Sequence, residues 1–167
     1  MGCGKTYLLN KLKKSHVAEL NNIDFFDLDN EIIASGCDYL DIESMVKARG
    51  WNYFRELEKN TFIELITNHK KNHMLISLGG GALSKEFLKY INERENIKLI
   101  FLSTPFEICW ERIYLEGHRP LVKKGKLEVE KLYKNRLSLY QSAQIYIDVN
   151  EQNNISAIDD LLKLSNS

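Results

Sequence analysis

The sequence has few cysteines, only two prolines, no long apolar run and no excess of charge of either sign. Cys3, Cys37 and Cys109 are widely spread and form no C-x-x-C motif, a pattern typical of free thiols in a reducing compartment. No apolar run approaches the roughly 18 residues of a membrane span. Lys and Arg balance Asp and Glu at 23 each. We therefore expect a cytoplasmic protein that binds neither nucleic acid nor a membrane.

The length of 167 residues predicts one domain, residues 1–167. Short apolar runs alternate with segments of helical periodicity, and unbroken apolar runs are typical of strands covered on both faces. The sequence thus predicts a three-layer α/β/α fold with a parallel central sheet. The predicted strands are residues 23–29, 74–78, 97–102 and 145–149. The predicted helices are residues 6–20, 30–35, 40–49, 51–68, 84–94, 105–116, 127–143 and 155–164.

The amino-terminal residues 2–6 read G-x-G-K-T, the second half of the phosphate-binding pattern G-x-x-x-x-G-K-[ST]. In that pattern glycines let backbone N–H groups surround an anion, and the following helix presents its positive end. Lys5 would reach the outer phosphates and the Thr6 hydroxyl would bind Mg²⁺. The first glycine of the pattern would precede Met1, so a flexible glycine-rich segment before an ordinary helix is the alternative.

Asp27 and Asp29 form a D-x-D pair at the predicted carboxyl end of a strand. Alternation along a strand would place both side chains on one face. Two such carboxylates can hold Mg²⁺ through water and accept a proton from an alcohol. A helix cap beside a solvated neighbour is the alternative interpretation.

Arg55 and Glu58 lie three residues apart in F-R-E-L-E, on a predicted helix. A carboxylate that holds an arginine in place would let its guanidinium group bind a substrate carboxylate in a bidentate manner. An ordinary surface ion pair has the same spacing.

Glycines and arginines mark two further candidate regions. Gly79, Gly80 and Gly81 follow a predicted strand directly, where glycine permits close approach of the backbone to a ligand. The basic segment near 113–127 lacks hydrophobic periodicity and is a candidate mobile lid that would bring arginine to a phosphoryl group. The arginines in and around this segment are Arg112, Arg119 and Arg136.

Six motifs in this order, taken together, resemble the shikimate kinase family over almost the whole chain. They are G-x-G-K-T, F-F-D-L-D, F-R-E-L-E, S-L-G-G-G-A, R-P-L and R-L-S-L-Y. The resemblance implies a P-loop kinase fold of the nucleoside-monophosphate-kinase type. It also implies phosphorylation of the 3-hydroxyl of shikimate by ATP, with Mg²⁺, on the way to chorismate and the aromatic amino acids.

The resemblance further implies roles for individual residues. On the nucleotide side it implies that Lys5 binds the phosphates and that Thr6 and Asp27 bind Mg²⁺. It also implies that Arg119 in the lid contacts the phosphates and that Arg112 contacts the adenine. The implied ATP-binding segment comprises Gly2, Cys3, Gly4, Lys5, Thr6 and Tyr7.

On the substrate side the resemblance implies that Asp29 orders the shikimate hydroxyls and acts as general base. It implies that Arg55, oriented by Glu58, and Arg136 bind the substrate carboxylate. The glycine loop, Gly79 to Gly81, would lie beside the ring. Lys5, Asp29 and Arg119 are the catalytic residues of this interpretation.

The chain departs from the family at its amino end. Family members begin with a strand and a complete G-x-x-G-x-G-K loop, whereas this sequence begins inside the loop. That first strand is central in the family's sheet, so we expect it to be absent here and two strand edges to be exposed. Either the true start lies upstream of Met1, or the chain is a non-catalytic copy. An upstream start is favoured by four retained residues, Asp29, Arg55, Arg119 and Arg136.

Two other functions stay open from the sequence. One is a different small-molecule kinase of the same fold, such as a gluconate or nucleotide kinase, although the arginine pair suits a compact carboxylate better. The other is a pseudokinase that binds a nucleotide or a partner without turnover. The small-molecule substrates imply no macromolecular partner, and we expect a monomer.

Overall fold

The structure is a computed structural model that describes residues 2–15, 23–35, 38–70, 73–116 and 122–165. The strands are β1 Ile23–Asp27, β2 His73–Ser77, β3 Ile100–Ser103 and β4 Ile145–Asp148. The helices are α1 Lys5–Lys13, α2 Leu28–Ala34, α3 Ile42–Asn68, α4 Lys85–Asn92, α5 Phe106–Glu116, α6 Lys126–Tyr140, α7 Val149–Asn154 and α8 Ile158–Ser165. A 3₁₀ turn, Val122–Lys124, precedes α6.

The strands form two parallel pairs. β1 pairs with β2 from Ile23 opposite His73 to Asp27 opposite Ser77. β3 pairs with β4 from Ile100 opposite Ile145 to Ser103 opposite Asp148. The predicted parallel α/β arrangement is confirmed. However, the described strands form two two-stranded sheets, since β2 and β3 share no ladder of hydrogen bonds.

The core contains two large clusters, and the first includes residues of both strand pairs, such as Ile23 and Ile147. Leu8 and Leu12 of α1 and Leu161 of α8 pack with β3 and β4. A second cluster is formed by side chains of α2, α3 and α4, including Leu28, Met45, Phe54, Phe62 and Phe87. Helices cover the faces of parallel sheets because the crossover connections between parallel strands place them there. No helix in the described part of the chain is both long and apolar enough to cross a membrane.

The end of β1 differs from the prediction. The strand ends at Asp27 and α2 begins at Leu28, so Asp29 lies in the first turn of a helix and not on the strand. The prediction that strand alternation places the Asp27 and Asp29 side chains on one face is therefore wrong. Leu28 explains the error: it is fully buried, and a buried leucine continues an apolar strand pattern as readily as it starts a helix.

Local capping fixes other helix starts. The Ser84 hydroxyl accepts a hydrogen bond from the Phe87 N–H, which confirms the predicted cap of α4. Asp148 and Glu151 form a reciprocal capping box that starts α7, a short helix absent from the sequence prediction. Its signal was the spacing of the two acidic residues, three apart.

Gly50 makes a kink within α3, because its φ of 82° and ψ of 168° are not helical. Backbone in this region is almost restricted to glycine. We expect Gly50→Ala to lower the free energy of unfolding by about 1–3 kcal/mol through backbone strain alone, since no atom lies within 4 Å of the position of an added Cβ. Urea denaturation measures this change. Lys47→Ala, in the exposed and regular part of the helix, is the control and should change stability by less than about 0.5 kcal/mol; equal effects of the two substitutions would contradict the strain.

Candidate active site

The glycine-rich segment forms a tight loop that opens directly into α1. Gly2 and Gly4 have φ of 62° and 96°, in the left-handed region that favours glycine. Gly4 occupies the cap position and its carbonyl accepts a hydrogen bond from the Leu8 N–H at 2.8 Å. A Cβ on Gly2 would collide with the carbonyl oxygen of Cys109. The loop thus presents the positive end of a helix with little space around its backbone.

Side chains from the segment after β3 and from α5 anchor this loop. Thr104, which follows β3, donates its hydroxyl to the Cys3 carbonyl at 3.2 Å. Arg112 of α5 donates to the Gly2 carbonyl at 3.2 Å. Gln152 of α7 is buried and donates to the Thr104 hydroxyl at 3.0 Å. Arg112 is therefore beside the loop, as expected of a residue on the nucleotide side.

Lys5 and Cys3 contact each other within the loop. The Lys5 ammonium lies 3.6 Å from the Cys3 sulfur and donates to it. Burial favours the neutral thiol, but the nearby Lys5 charge and the hydrogen bonds from Lys5 outweigh it and lower the pKa of Cys3. The lysine thus places a positive charge at the mouth of the loop.

The side chains of Thr6 and Asp27 form a hydrogen bond with each other. The Thr6 hydroxyl donates to Asp27 Oδ2 at 3.2 Å. Hydroxyl and carboxylate oxygens are ligands suited to Mg²⁺, which commonly takes one or two protein carboxylates and completes its shell with phosphates and water. No cluster of three His, Cys, Asp or Glu side chains with metal-binding geometry occurs among the described residues. The two oxygens therefore fit a magnesium ion shared with a bound phosphate, not a closed structural metal site.

A cleft of about 460 Å³ joins the loop to the ends of β1 and β2. Its lining includes the phosphate loop, both aspartates of the D-x-D pair, Gly79, Gly80 and Arg112. The sequence-predicted nucleotide residues that the structure describes thus line the same cavity as the predicted general base, although Asp29 reaches it from a helix.

Glu58 is buried beside this cleft, with 1% of its side chain exposed. It forms an ion pair with Arg55, and a Cβ on Gly79 would lie 2.6 Å from Glu58 Oε1 and 2.8 Å from Asp29 Oδ1. Burial, reinforced by the Asp29 charge, raises the pKa of Glu58 to about 7 despite the opposing effect of Arg55 and Arg136. Gly79 is consequently required to let the two carboxyl groups approach each other.

The raised pKa of Glu58 makes stability depend on pH. The folded protein holds the Glu58 proton more tightly than the unfolded chain, whose pKa is near 4.5. This contribution is complete below about pH 4.5 and is lost as the pH rises through about 7. We expect the unfolding free energy of the wild type, relative to Glu58→Gln, to fall by about 2 kcal/mol between roughly pH 5 and pH 8.

Urea denaturation at the two pH values measures this difference. Glu56→Gln, an exposed carboxylate on the same helix, is the matched control and should leave the pH dependence unchanged. A wild-type curve parallel to that of Glu58→Gln would contradict the raised pKa.

Arg55 and Arg136 converge on the glycine loop. A Cβ on Gly81 would collide with the Arg55 guanidinium and would lie 2.7 Å from Arg136 Nη2. Arg136 also donates to the Gly80 carbonyl at 2.7 Å. Two guanidinium groups at one point form a binding surface for a planar carboxylate.

Two residues near the site, Tyr140 and Gln152, are not among those singled out from the sequence above. The Tyr140 hydroxyl donates to the same Gly80 carbonyl as Arg136. Its spacing of four residues from Arg136 on one helix was the available signal. Gln152 belongs to no sequence motif. Its place beside the phosphate loop depends on the packing of α7. Arg119, the predicted lid arginine, lies outside the described residues.

The fold and this cleft are those of a phosphate-loop α/β kinase. The shikimate kinase family model matches residues 1–165. A shikimate kinase of Persephonella marina is 32% identical over 162 residues, covering 97% of this chain and 92% of that protein. The solved structure of Acinetobacter baumannii shikimate kinase in complex with shikimate has a TM-score of 0.75 at 28% identity and covers 100% of this chain and 90% of its own.

A second solved structure, shikimate kinase from Aquifex aeolicus, has a TM-score of 0.74 at 25% identity, covering 99% of this chain and 92% of that one. The chain belongs to the shikimate kinase family. Family membership makes it a kinase that uses ATP.

Proposed function

We propose that this chain transfers the γ-phosphoryl group of ATP to the 3-hydroxyl of shikimate, giving shikimate 3-phosphate and ADP for chorismate and aromatic amino-acid synthesis. The observation that carries this proposal is the convergence of Arg55 and Arg136 on Gly81, next to a phosphate cleft that contains Asp29. Shikimate has a carboxylate and ring hydroxyls, and therefore matches both ends of this arrangement.

The arginine end binds and orients the substrate. Arg55 and Arg136 each offer N–H donors to the carboxylate, and Glu58 fixes the guanidinium of Arg55 by their ion pair. Arg136 is itself held by the Gly80 carbonyl. Fixing both groups before binding reduces the entropy lost when the substrate is oriented.

At the Asp29 end of the site, one proton and one phosphoryl group are transferred. Asp29 accepts the proton of the 3-hydroxyl, the hydroxyl oxygen forms a bond to the γ-phosphorus, and the bond from phosphorus to the β–γ bridging oxygen breaks. ADP leaves with that electron pair. The Lys5 ammonium and the amino end of α1 stabilise negative charge on the phosphates. Arg119 stays a predicted contributor to the same charge.

Thr6 and Asp27 would hold Mg²⁺, with Asp27 acting directly or through water. When bound, the ion supplies positive charge to the phosphate oxygens in transfer. The oxygen pair at 3.2 Å supports this assignment.

Further features of the proposal rest on the sequence. The lid near 113–127 stays a prediction, because residues 117–121 lie outside the described ranges. We propose a monomer that acts in the cytoplasm, and the described cysteines, Cys3 and Cys109, are free thiols, as is common in a reducing compartment.

Acceptor competition tests the substrate. ADP release would be measured with ATP, Mg²⁺ and equal concentrations of shikimate, gluconate or a nucleoside monophosphate. We expect kcat/KM for shikimate to exceed the others by at least about 100-fold, because they do not pair a compact carboxylate with the ring hydroxyls at this spacing. A preference for gluconate or a nucleotide would overturn the proposal.

A further inference from the structure

Thr104 is a buried polar residue that belongs to none of the motifs of the sequence. It directly follows β3, only 1% of it is exposed, and it lies behind the phosphate loop, outside the lining of the cleft described above. Buried hydroxyl groups nearly always have a hydrogen-bond partner, and this one has two. It accepts from the Gln152 amide at 3.0 Å and donates to the Cys3 carbonyl at 3.2 Å.

The Gln152 amide fixes the direction of these two hydrogen bonds. Its Nε2 also lies 3.4 Å from the Ile147 carbonyl, which can only accept, so the NH₂ end of the amide is the end that faces Thr104. A hydroxyl has one proton. With the Gln152 donor on a lone pair of Thr104, that proton is directed to the Cys3 carbonyl.

Three hydrogen bonds fix the main chain of Thr104. Its N–H donates to the Leu102 carbonyl at 2.9 Å, and its own carbonyl accepts from the Tyr133 hydroxyl at 3.0 Å and the Cys109 thiol at 3.6 Å. The backbone is further restricted because the next residue is Pro105. The Thr104 hydroxyl therefore meets the loop from a position that α5 and α6 hold in place.

The bond to Cys3 determines which way one peptide group of the loop faces. The C=O and N–H of a trans peptide group point in opposite directions. The carbonyl of the peptide between Cys3 and Gly4 is turned back to Thr104, so the Gly4 N–H points away from Thr104, towards the cleft that Gly4 lines. Backbone N–H groups arranged in this way at a left-handed glycine form a concave site for an anion.

We propose that Thr104 is a positioning residue of the phosphate loop, whose hydroxyl holds the Cys3 carbonyl back so that the Gly4 N–H faces the phosphates of the nucleotide. Thr104 does not touch the phosphates and acts through the loop. This role rests on the proposed function only in that the loop binds the phosphates of ATP. Without the hydroxyl, the Cys3 carbonyl loses a buried donor and the orientation of the peptide group is no longer fixed.

Two pairs of variants with similar shape test this role. Thr104→Val replaces the hydroxyl of the wild type by a methyl group, and Thr104→Ala differs from Thr104→Ser only in lacking the hydroxyl. Calorimetry would measure the binding of ADP and of pyrophosphate with Mg²⁺. We expect loss of the hydroxyl to raise the Kd of both ligands by about tenfold within each pair. Thr104→Ser should stay within about threefold of the wild type, because it keeps the donor.

Two further readouts separate positioning from packing. In steady-state kinetics Thr104→Val should raise the KM for ATP by about tenfold and change the KM for shikimate by less than about threefold. The amide proton of Gly4 should shift downfield when pyrophosphate binds the wild type, and less in Thr104→Val. Thr67→Val, at an exposed position of α3, is the control and should change none of these values.

Equal affinities of Thr104→Ser and Thr104→Ala for pyrophosphate, or wild-type affinity in Thr104→Val, would overturn the proposal. Equal rises in the KM of both substrates together with a lower Tm would also overturn it, because they would show that Thr104 serves the fold. The calorimetry contains no shikimate. If the wild type does not phosphorylate shikimate but the differences in Kd are found, the proposed function fails and the role of Thr104 stands.

Discussion

Asp29→Asn is expected to lower kcat for shikimate phosphorylation by about 10²–10⁴-fold, the usual contribution of a positioned general base. Asparagine keeps the shape of aspartate, but an amide NH2 donor replaces one acceptor oxygen, and the amide does not accept the proton of the 3-hydroxyl. Asp29 faces the phosphate cleft from the first turn of α2, where the substituted side chain has the same space. The KM for ATP should change by less than about threefold, since the phosphate loop contributes that binding.

Steady-state ADP release at saturating shikimate measures this effect. The matched control is Asp159→Asn, an exposed aspartate in the first turn of α8 that lines none of the cavities described above. Its kcat should equal that of the wild type. A kcat for Asp29→Asn within about threefold of the wild type, with the fold intact by circular dichroism, would remove Asp29 from the role of general base.

Arg136→Ala is expected to lower kcat/KM for shikimate by about 10²–10⁴-fold, mainly through a higher KM. The side chain would give two hydrogen bonds to a carboxylate, and bonds to charged groups contribute about 1.5–3 kcal/mol each. Its loss also frees the Gly80 carbonyl, which retains only the Tyr140 hydroxyl among the contacts described here. Arg136→Lys keeps the charge but not the planar pair of donors, and should recover only part of the loss.

The control for this prediction lies on the same helix. Lys131 is exposed and forms only a surface ion pair with Glu128, so Lys131→Ala should leave the KM of both substrates unchanged. ATP affinity of Arg136→Ala, measured by calorimetry without shikimate, should also match the wild type. A fall in ATP affinity equal to the fall in shikimate affinity would show that Arg136 serves the fold and not the carboxylate.

The site residues could be found from the sequence because their motifs are local and ordered. Arg55 and Glu58 are one helical turn apart, and their ion pair follows from that spacing. The three glycines follow β2, as expected, and the structure shows why two of them have no side chain: a Cβ on Gly79 or Gly81 would meet Glu58 or the two arginines.

Other features depend on contacts that no local pattern encodes. The helical position of Asp29 depends on where the buried Leu28 packs, and the position of Gln152 depends on how α7 meets Thr104. The raised pKa of Glu58 comes from burial between elements distant in sequence.

The most direct test of the central claim is identification of the product. The chain would be incubated with ATP, Mg²⁺ and shikimate, and the phosphorylated product would be located by ³¹P–¹H correlation spectroscopy. The site predicts a single product that carries phosphate on the 3-hydroxyl, formed in equal amount with ADP. Phosphate on another hydroxyl, or ADP with inorganic phosphate and unchanged shikimate, would contradict a site that positions the 3-hydroxyl between Asp29 and the phosphate loop.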